Sequence, residues 1–203
     1  MIAIIDYGVG NSASIKNMLN RIGYESIITN KASDLESANK LILPGVGAFD
    51  AAMNKLEATG LVQVMAEQVQ TYKKPLLGIC LGMQLLCRGS EEGQKKGLGY
   101  ISGDVKRFEL PEPFKVPHMG WNYVEVPAYS TNKLCAELLD KSRFYFVHSY
   151  YVQVDDPHLC ILKCDYGGAF TAAFAHDNIY GCQFHPEKSH KYGMKLLKNF
   201  AGL

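Results

Sequence analysis

The chain has 203 residues, 47% of them hydrophobic and 20% charged, with a formal net charge of +1. This balance suits one globular domain, residues 1–203, with a sizeable core. Near-neutral charge gives no reason to expect nucleic acid or a membrane surface as partner, and no apolar run approaches the ~20 residues that span a bilayer.

In chain order, residues 2–6 predict a strand and 14–22 a helix stopped at Gly23. Residues 24–28 and 41–43 predict strands, 48–56 and 61–72 helices, and 76–79 a strand leading into Cys80. Strands buried on both faces read as unbroken apolar runs, so this alternation predicts an α/β fold: a mostly parallel open sheet covered by helices. The second half adds strands, antiparallel in expectation, at 105–108, 123–126, 144–147, 151–154, 160–163, 170–175 and 179–183, before a closing helix at 192–200. The chain begins directly in a strand, without the basic start and cleavage site of a secretion signal, so a cytoplasmic location is expected. There the six cysteines are expected as reduced thiols. Cys160 and Cys164, four apart on a predicted strand, are poorly spaced as metal ligands, and neither a metal nor a cofactor is expected.

The segment Gly78-Ile79-Cys80-Leu81-Gly82-Met83-Gln84 carries the chemistry. It sets a cysteine between glycines where a strand turns into a helix, as the nucleophile elbow does for serine. A Cβ at either flank would crowd so sharp a turn. The N–H groups of a helix start favour an anion, and the thiolate is the nucleophilic form of cysteine. The plain alternative is a buried structural cysteine, the common fate of the free residue.

Downstream, an apolar strand closes on Gln183-Phe184-His185-Pro186-Glu187. Residues two apart on a strand share a face, so His185 and Glu187 are expected side by side. A carboxylate beside an imidazole orients it and stabilises the imidazolium, which suits a partner for a thiolate. A solvated turn is the alternative for the tripeptide taken alone. The run 41–43 ends in Pro44-Gly45-Val46-Gly47, a loop whose N–H groups, with that of Leu81, are candidates for stabilising an oxyanion; an ordinary strand-to-helix turn is the alternative. Gln84 lies one helical turn beyond Cys80 and is a candidate for the same site, or for a bond to its own scaffold.

With these pieces in this order, the chain resembles the class I (triad) glutamine amidotransferases. Asp6-Tyr7-Gly8-Val9-Gly10-Asn11, Pro44-Gly45-Val46-Gly47-Ala48-Phe49, Val116-Pro117-His118-Met119-Gly120-Trp121-Asn122 and Phe146-Val147-His148-Ser149-Tyr150-Tyr151 narrow the resemblance to the glutaminase subunit of imidazole glycerol phosphate synthase. It runs from about residue 2 to the closing helix. It implies a flavodoxin-like core, a Cys80-His185-Glu187 triad that hydrolyses L-glutamine to glutamate and ammonia, and a γ-glutamyl thioester on the way. It implies that Gln84 binds the amino or carboxylate end of glutamine and that His148, Ser149 and Tyr150 line the pocket; plain packing of a Tyr-rich strand is the alternative for these three. It also implies a heterodimer with a (β/α)8-barrel cyclase that makes imidazole glycerol phosphate and AICAR in histidine biosynthesis. His118, Trp121, Asn122 and Lys188 match positions at that subunit contact; a core role is the alternative for Trp121, the only tryptophan.

Two stretches set the chain apart within the subfamily: Cys87-Arg88-Gly89-Ser90, and Lys188-Ser189-His190-Lys191-Tyr192-Gly193-Met194, which resembles a branch that amidates bacterial surface sugars. That acceptor is the first alternative. A catalytically silent scaffold subunit is an alternative of another class, and a γ-glutamyl peptidase on the same fold is a further one.

Overall fold

A computed structural model describes residues 1–138 and 142–203 of the chain. Its central layer follows from strand alternation. In β1 (Ile2–Ile5), Ile2 and Ile4 join one core and Ala3 and Ile5 the other, because successive side chains leave a strand on opposite faces. β3 (Lys40–Gly45) divides in the same way, with Ile42 on the first face and Leu41 and Leu43 on the second. β2 (Ser26–Thr29) and β4 (Leu76–Cys80) complete the first half of the sheet.

Helices cover both faces. α1 (Ser12–Arg21) brings Ile15 and Leu19 to the first core, where α6 (His190–Ala201) adds Leu196, Leu197 and Phe200. α2 (Ala32–Ser37), α3 (Phe49–Ala58) and α4 (Leu61–Ala66) cover the second, with Leu35, Phe49, Met53, Leu56, Leu61 and Met65 buried. Emptying one such site, as in Phe200→Ala, costs ~3–5 kcal/mol.

The second half supplies α5 (Leu81–Leu85), β5 (Gly103–Arg107), β6 (His118–Tyr123), β7 (Arg143–His148), β8 (Tyr150–Val154), β9 (Cys160–Asp165), β10 (Ala169–His176) and β11 (Ile179–Cys182). The main sheet has the order β2-β1-β3-β4-β11-β10-β8-β5, with β9 also paired to β10. β2 through β11 run parallel, and β10, β8, β5 and β9 pair antiparallel. The parallel part has the flavodoxin-like 2-1-3-4-5 order, with β11 as its last strand. β6 and β7 form a separate antiparallel ribbon.

Some expectations need correction. The predicted strand at 123–126 lies earlier, at His118–Tyr123; Glu125 makes only an isolated bridge to Lys163. Pro117 and Gly120 read as breakers, yet His118 is buried while Met119, Trp121 and Tyr123 are exposed, the period of a half-covered strand. The predicted helix 61–72 is regular only through Ala66 and widens into a π-turn at Glu67–Thr71. α2 was not expected: its six residues bury only Leu35, too little to show a period.

β3, β4 and β11 are neighbours whose carboxyl ends meet. Gly45 pairs with Cys80, and Ile79 with Cys182. The glycine loop, the cysteine and the His185 segment therefore leave the sheet side by side, at the edge where open parallel sheets place their sites.

Candidate active site

Cys80 is held at φ +55° and ψ −114°, outside the ordinary regions for a residue with a side chain. Such a conformation costs ~1–3 kcal/mol and persists only where the surroundings impose it. Here close packing imposes it. A Cβ on Gly82 would strike the Leu43 carbonyl, and one on Gly78 would lie 2.7 Å from Gly82 O and Met83 Cα. Both glycines are required by approach rather than by flexibility. The side chain of Cys80 lines a cavity of about 330 Å³.

His185 lines the same cavity. Its Nδ1 donates to Glu187 Oε1 at 2.8 Å, and both side chains are almost wholly buried. The geometry differs from the expected one in a physical detail. β11 ends at Cys182, and Glu187 sits in a 3-10 turn, Pro186–Lys188. The turn, not strand alternation, brings carboxylate and imidazole together. The backbone is pinned from both sides: His185 N–H donates to Tyr145 O at 2.9 Å, and Ser189 Oγ donates to His185 O at 2.6 Å.

Burial pulls the imidazole pKa down, but the Cys80 sulfur and the Glu187 carboxylate more than reverse this and raise it to about 10. The carboxylate and the sulfur thus favour the protonated form of His185. Its Nε2 is buried on the cavity side that Cys80 also lines, with no other hydrogen-bond partner.

The cavity wall is completed by Val46, Gly47, Leu81, Gln84 and the His148-Ser149-Tyr150 segment. Gly47 takes φ +93°, which a side chain would strain. Among the described residues, no turn or loop hydrogen bond engages the N–H of Val46 or Gly47. Tyr7 ties this loop down: its hydroxyl donates to Pro44 O at 2.5 Å.

The sequence comparisons fit this site. The family described as "Glutamine amidotransferase class-I" matches residues 3–202. The chain belongs to the class-I glutamine amidotransferase family. Within it, the chain is 55% identical over 200 residues to "Imidazole glycerol phosphate synthase subunit HisH 2" of Methanococcus maripaludis, covering 98% of each chain. It is 54% identical over 203 residues to the protein of the same name from Pseudomonas aeruginosa, covering 100% of each. It is thus a HisH-type member. A solved glutamine amidotransferase superposes with a TM-score of 0.77 at 19% identity, covering 100% of both chains. Another, from Thermotoga maritima, superposes at 0.65 and 19%, covering 98% of this chain and 81% of that one. At such identities these two speak for the class-I amidotransferase fold.

The fold gathers most of the residues expected at the amidotransferase site, with three adjustments. Gly45 does not line the cavity; it is a spacer, since a Cβ there would lie 2.5 Å from Gly82 N. Gln84 reaches the cavity, but its amide nitrogen donates to Tyr150 O at 3.1 Å and Gln183 Oε1 at 3.0 Å, so its hydrogen atoms serve the scaffold. His118, expected at a subunit contact, is only 2% exposed, because it falls on the inward side of β6. Trp121 is 42% exposed, stacked on His190 with ring centroids 5.5 Å apart, and Lys188 is also exposed. Asn122 is half-buried and bonds inward to the Asp165 carbonyl at 2.9 Å.

Sequence reasoning missed Glu92, Pro117 and Val147, which line the cavity. Glu92 Oε2 accepts from Phe49 N–H at 2.9 Å, so the start of α3 presents this carboxylate. Nothing in Ser90-Glu91-Glu92-Gly93 distinguishes it from any solvated acidic loop. All six cysteines are free and buried, and no cluster of metal-ligating side chains occurs among the described residues. No helix among them is long and apolar enough to cross a membrane.

Proposed function

We propose that this chain, as one amidotransferase domain over residues 1–203, hydrolyses L-glutamine through Cys80, His185 and Glu187. It delivers the ammonia to a (β/α)8-barrel cyclase that makes imidazole glycerol phosphate and AICAR in the cytoplasm. The observation that carries this reading is His185, held by buried Glu187, lining one cavity with the strained Cys80 elbow.

The Cys80 thiolate attacks the side-chain amide carbon of glutamine. Negative charge gathers on the former carbonyl oxygen, where the N–H groups of Leu81 and of the Val46-Gly47 region receive it. His185, already protonated, gives its Nε2 proton to the amide nitrogen as the C–N bond breaks. Ammonia leaves, and the γ-glutamyl thioester remains. The now neutral His185 takes a proton from water, hydroxide adds to the thioester, and glutamate departs as the thiolate re-forms with the imidazolium. Glu187 holds Nδ1 throughout and stabilises each imidazolium. Glu92 supplies a negative charge suited to the α-ammonium of the substrate.

Free ammonia at neutral pH is mostly ammonium, which is not nucleophilic, so its transfer calls for a docked acceptor. The exposed face carrying Met119, Trp121, Tyr123 and Lys188 is the surface we assign to that contact. The surface-sugar acceptor is not favoured, since the relatives above bear the name of the histidine-pathway subunit. The silent scaffold is the weaker reading, because Cys80 and His185 line one cavity and Glu187 accepts from His185.

The test is glutamate release by the purified chain, alone and with the cyclase and its ribonucleotide substrate. Strong stimulation by the pair is the expected result. Activity independent of any partner would instead identify a peptidase-like hydrolase, and binding without turnover a scaffold.

A further inference from the structure

From Asn122 to the Tyr150 carbonyl, the polar groups behind the cavity are ordered in one direction. Asn122 Oδ1 accepts from Tyr123 N–H at 2.8 Å, which fixes the amide orientation and leaves Nδ2 to donate. Nδ2 faces Asp165 O at 2.9 Å and His118 Nε2 at 3.3 Å. At the other end, His148 Nδ1 lies 2.8 Å from Tyr150 O, and a carbonyl only accepts, so Nδ1 carries the hydrogen. His148 Nε2 in a neutral ring is then an acceptor. It faces His118 Nδ1 at 3.1 Å, which must donate, leaving His118 Nε2 free to accept from Asn122. Each link is consistent with only one tautomer of each neutral ring.

The surroundings keep both rings neutral and still. His118 is stacked between Phe146, at 4.8 Å, and Tyr166, at 3.9 Å. Phe108 and Phe170 each pack against His148 at 5.2 Å. Burial in this aromatic cage lowers the His118 pKa to about 4 and the His148 pKa to about 3.

The network continues past Tyr150, but its direction reverses there, because the Tyr150 carbonyl is the common acceptor. That carbonyl also accepts from Gln84 Nε2 at 3.1 Å, and the same nitrogen donates to Gln183 Oε1 at 3.0 Å. Gln183 is fully buried, and with its oxygen so engaged its Nε2 is the group left facing Cys80 Sγ, at 3.8 Å.

We infer that this hydrogen-bond chain, from Asn122 on the exposed ribbon to the sulfur of Cys80, makes His118, His148 and Gln183 positioning residues for the nucleophile. Its role in turnover rests on the glutaminase reading above, but its existence does not. It ties β6, whose outer face carries Trp121, to the elbow through fixed donors rather than through packing alone.

The experiment uses the full chain at neutral pH with its histidine rings labelled with nitrogen-15. Two-bond proton–nitrogen correlation should show His118 and His148 as neutral rings protonated at Nδ1, the less common tautomer. His118→Phe, which preserves the aromatic stack, assigns the signals. Either ring protonated at Nε2, or present as an imidazolium, overturns the chain. In parallel, Gln183→Glu replaces the N–H facing Sγ with an acceptor while keeping its shape. Alkylation of Cys80 by iodoacetamide, mapped by mass spectrometry, should slow at least about tenfold. An unchanged rate overturns the link to the sulfur. Neither readout requires glutamine, so the chain and the glutaminase reading fail separately.

Discussion

Gly45 stands directly opposite Cys80 across the β3–β4 ladder, and there is no room for a Cβ between Gly45 and the elbow. The loop proposed to hold the oxyanion and the strained nucleophile are thus parts of one packed unit. Gly45→Ala would set a methyl 2.5 Å from Gly82 N and 2.9 Å from Leu81 Cβ. Overpacking of this kind costs ~1–3 kcal/mol. We expect a lower midpoint in urea together with a fall in glutaminase rate. A variant that loses neither would show that the elbow can relax.

Glu187→Gln leaves the shape of the His185 contact but removes the charge that steadies the imidazolium. Cys80→Ala should abolish glutamate release. Glu187→Gln should lower kcat by ~100-fold or more while leaving the glutamine KM nearly unchanged, because Glu187 acts through His185. A large KM effect with kcat intact would place Glu187 at the substrate instead.

Stability should depend on pH from both sides. The folded His185 pKa, about 10, lies above its ordinary value of 6.5. Its contribution is therefore complete below about pH 6.5 and is lost as pH rises through about 10. His118 and His148 behave oppositely, with folded values of about 4 and about 3 against an ordinary 6.5. Their contribution is present above about pH 6.5 and is lost as pH falls toward those values, since the unfolded chain then binds more protons. Urea titrations across pH should show both limbs. His118→Phe should flatten the acid limb and Cys80→Ala the alkaline one; an unchanged profile in either variant would contradict the assignment.

Trp121→Ala should weaken binding of the cyclase by tenfold or more while the thermal midpoint of the free chain moves little. Its indole is half exposed, stacked on His190 and lying beneath the Arg143 guanidinium at 5.5 Å. Binding measured by calorimetry and melting followed by circular dichroism separate the two effects. Unfolding without altered affinity would make Trp121 a structural residue.

By itself the sequence determined much of the parallel half of the sheet, because residues 2–5, 41–43 and 76–79 are apolar runs too short for helices and suited to burial on both faces. It determined the elbow as well, since Gly78 and Gly82 bracket Cys80 within a few residues. Such features are local: neighbours in the chain create the need that the residue type meets. Tertiary structure decided the rest. His118 reads as a surface residue until pairing with β7 turns it inward against His148. Glu92 becomes a cavity wall only when the start of α3 binds its carboxylate, 43 positions away in sequence. Gln183 meets Gln84 across 99 positions, so no periodicity announces it. Direction in a hydrogen-bond chain depends on which atoms face each other, and only the packed fold sets that.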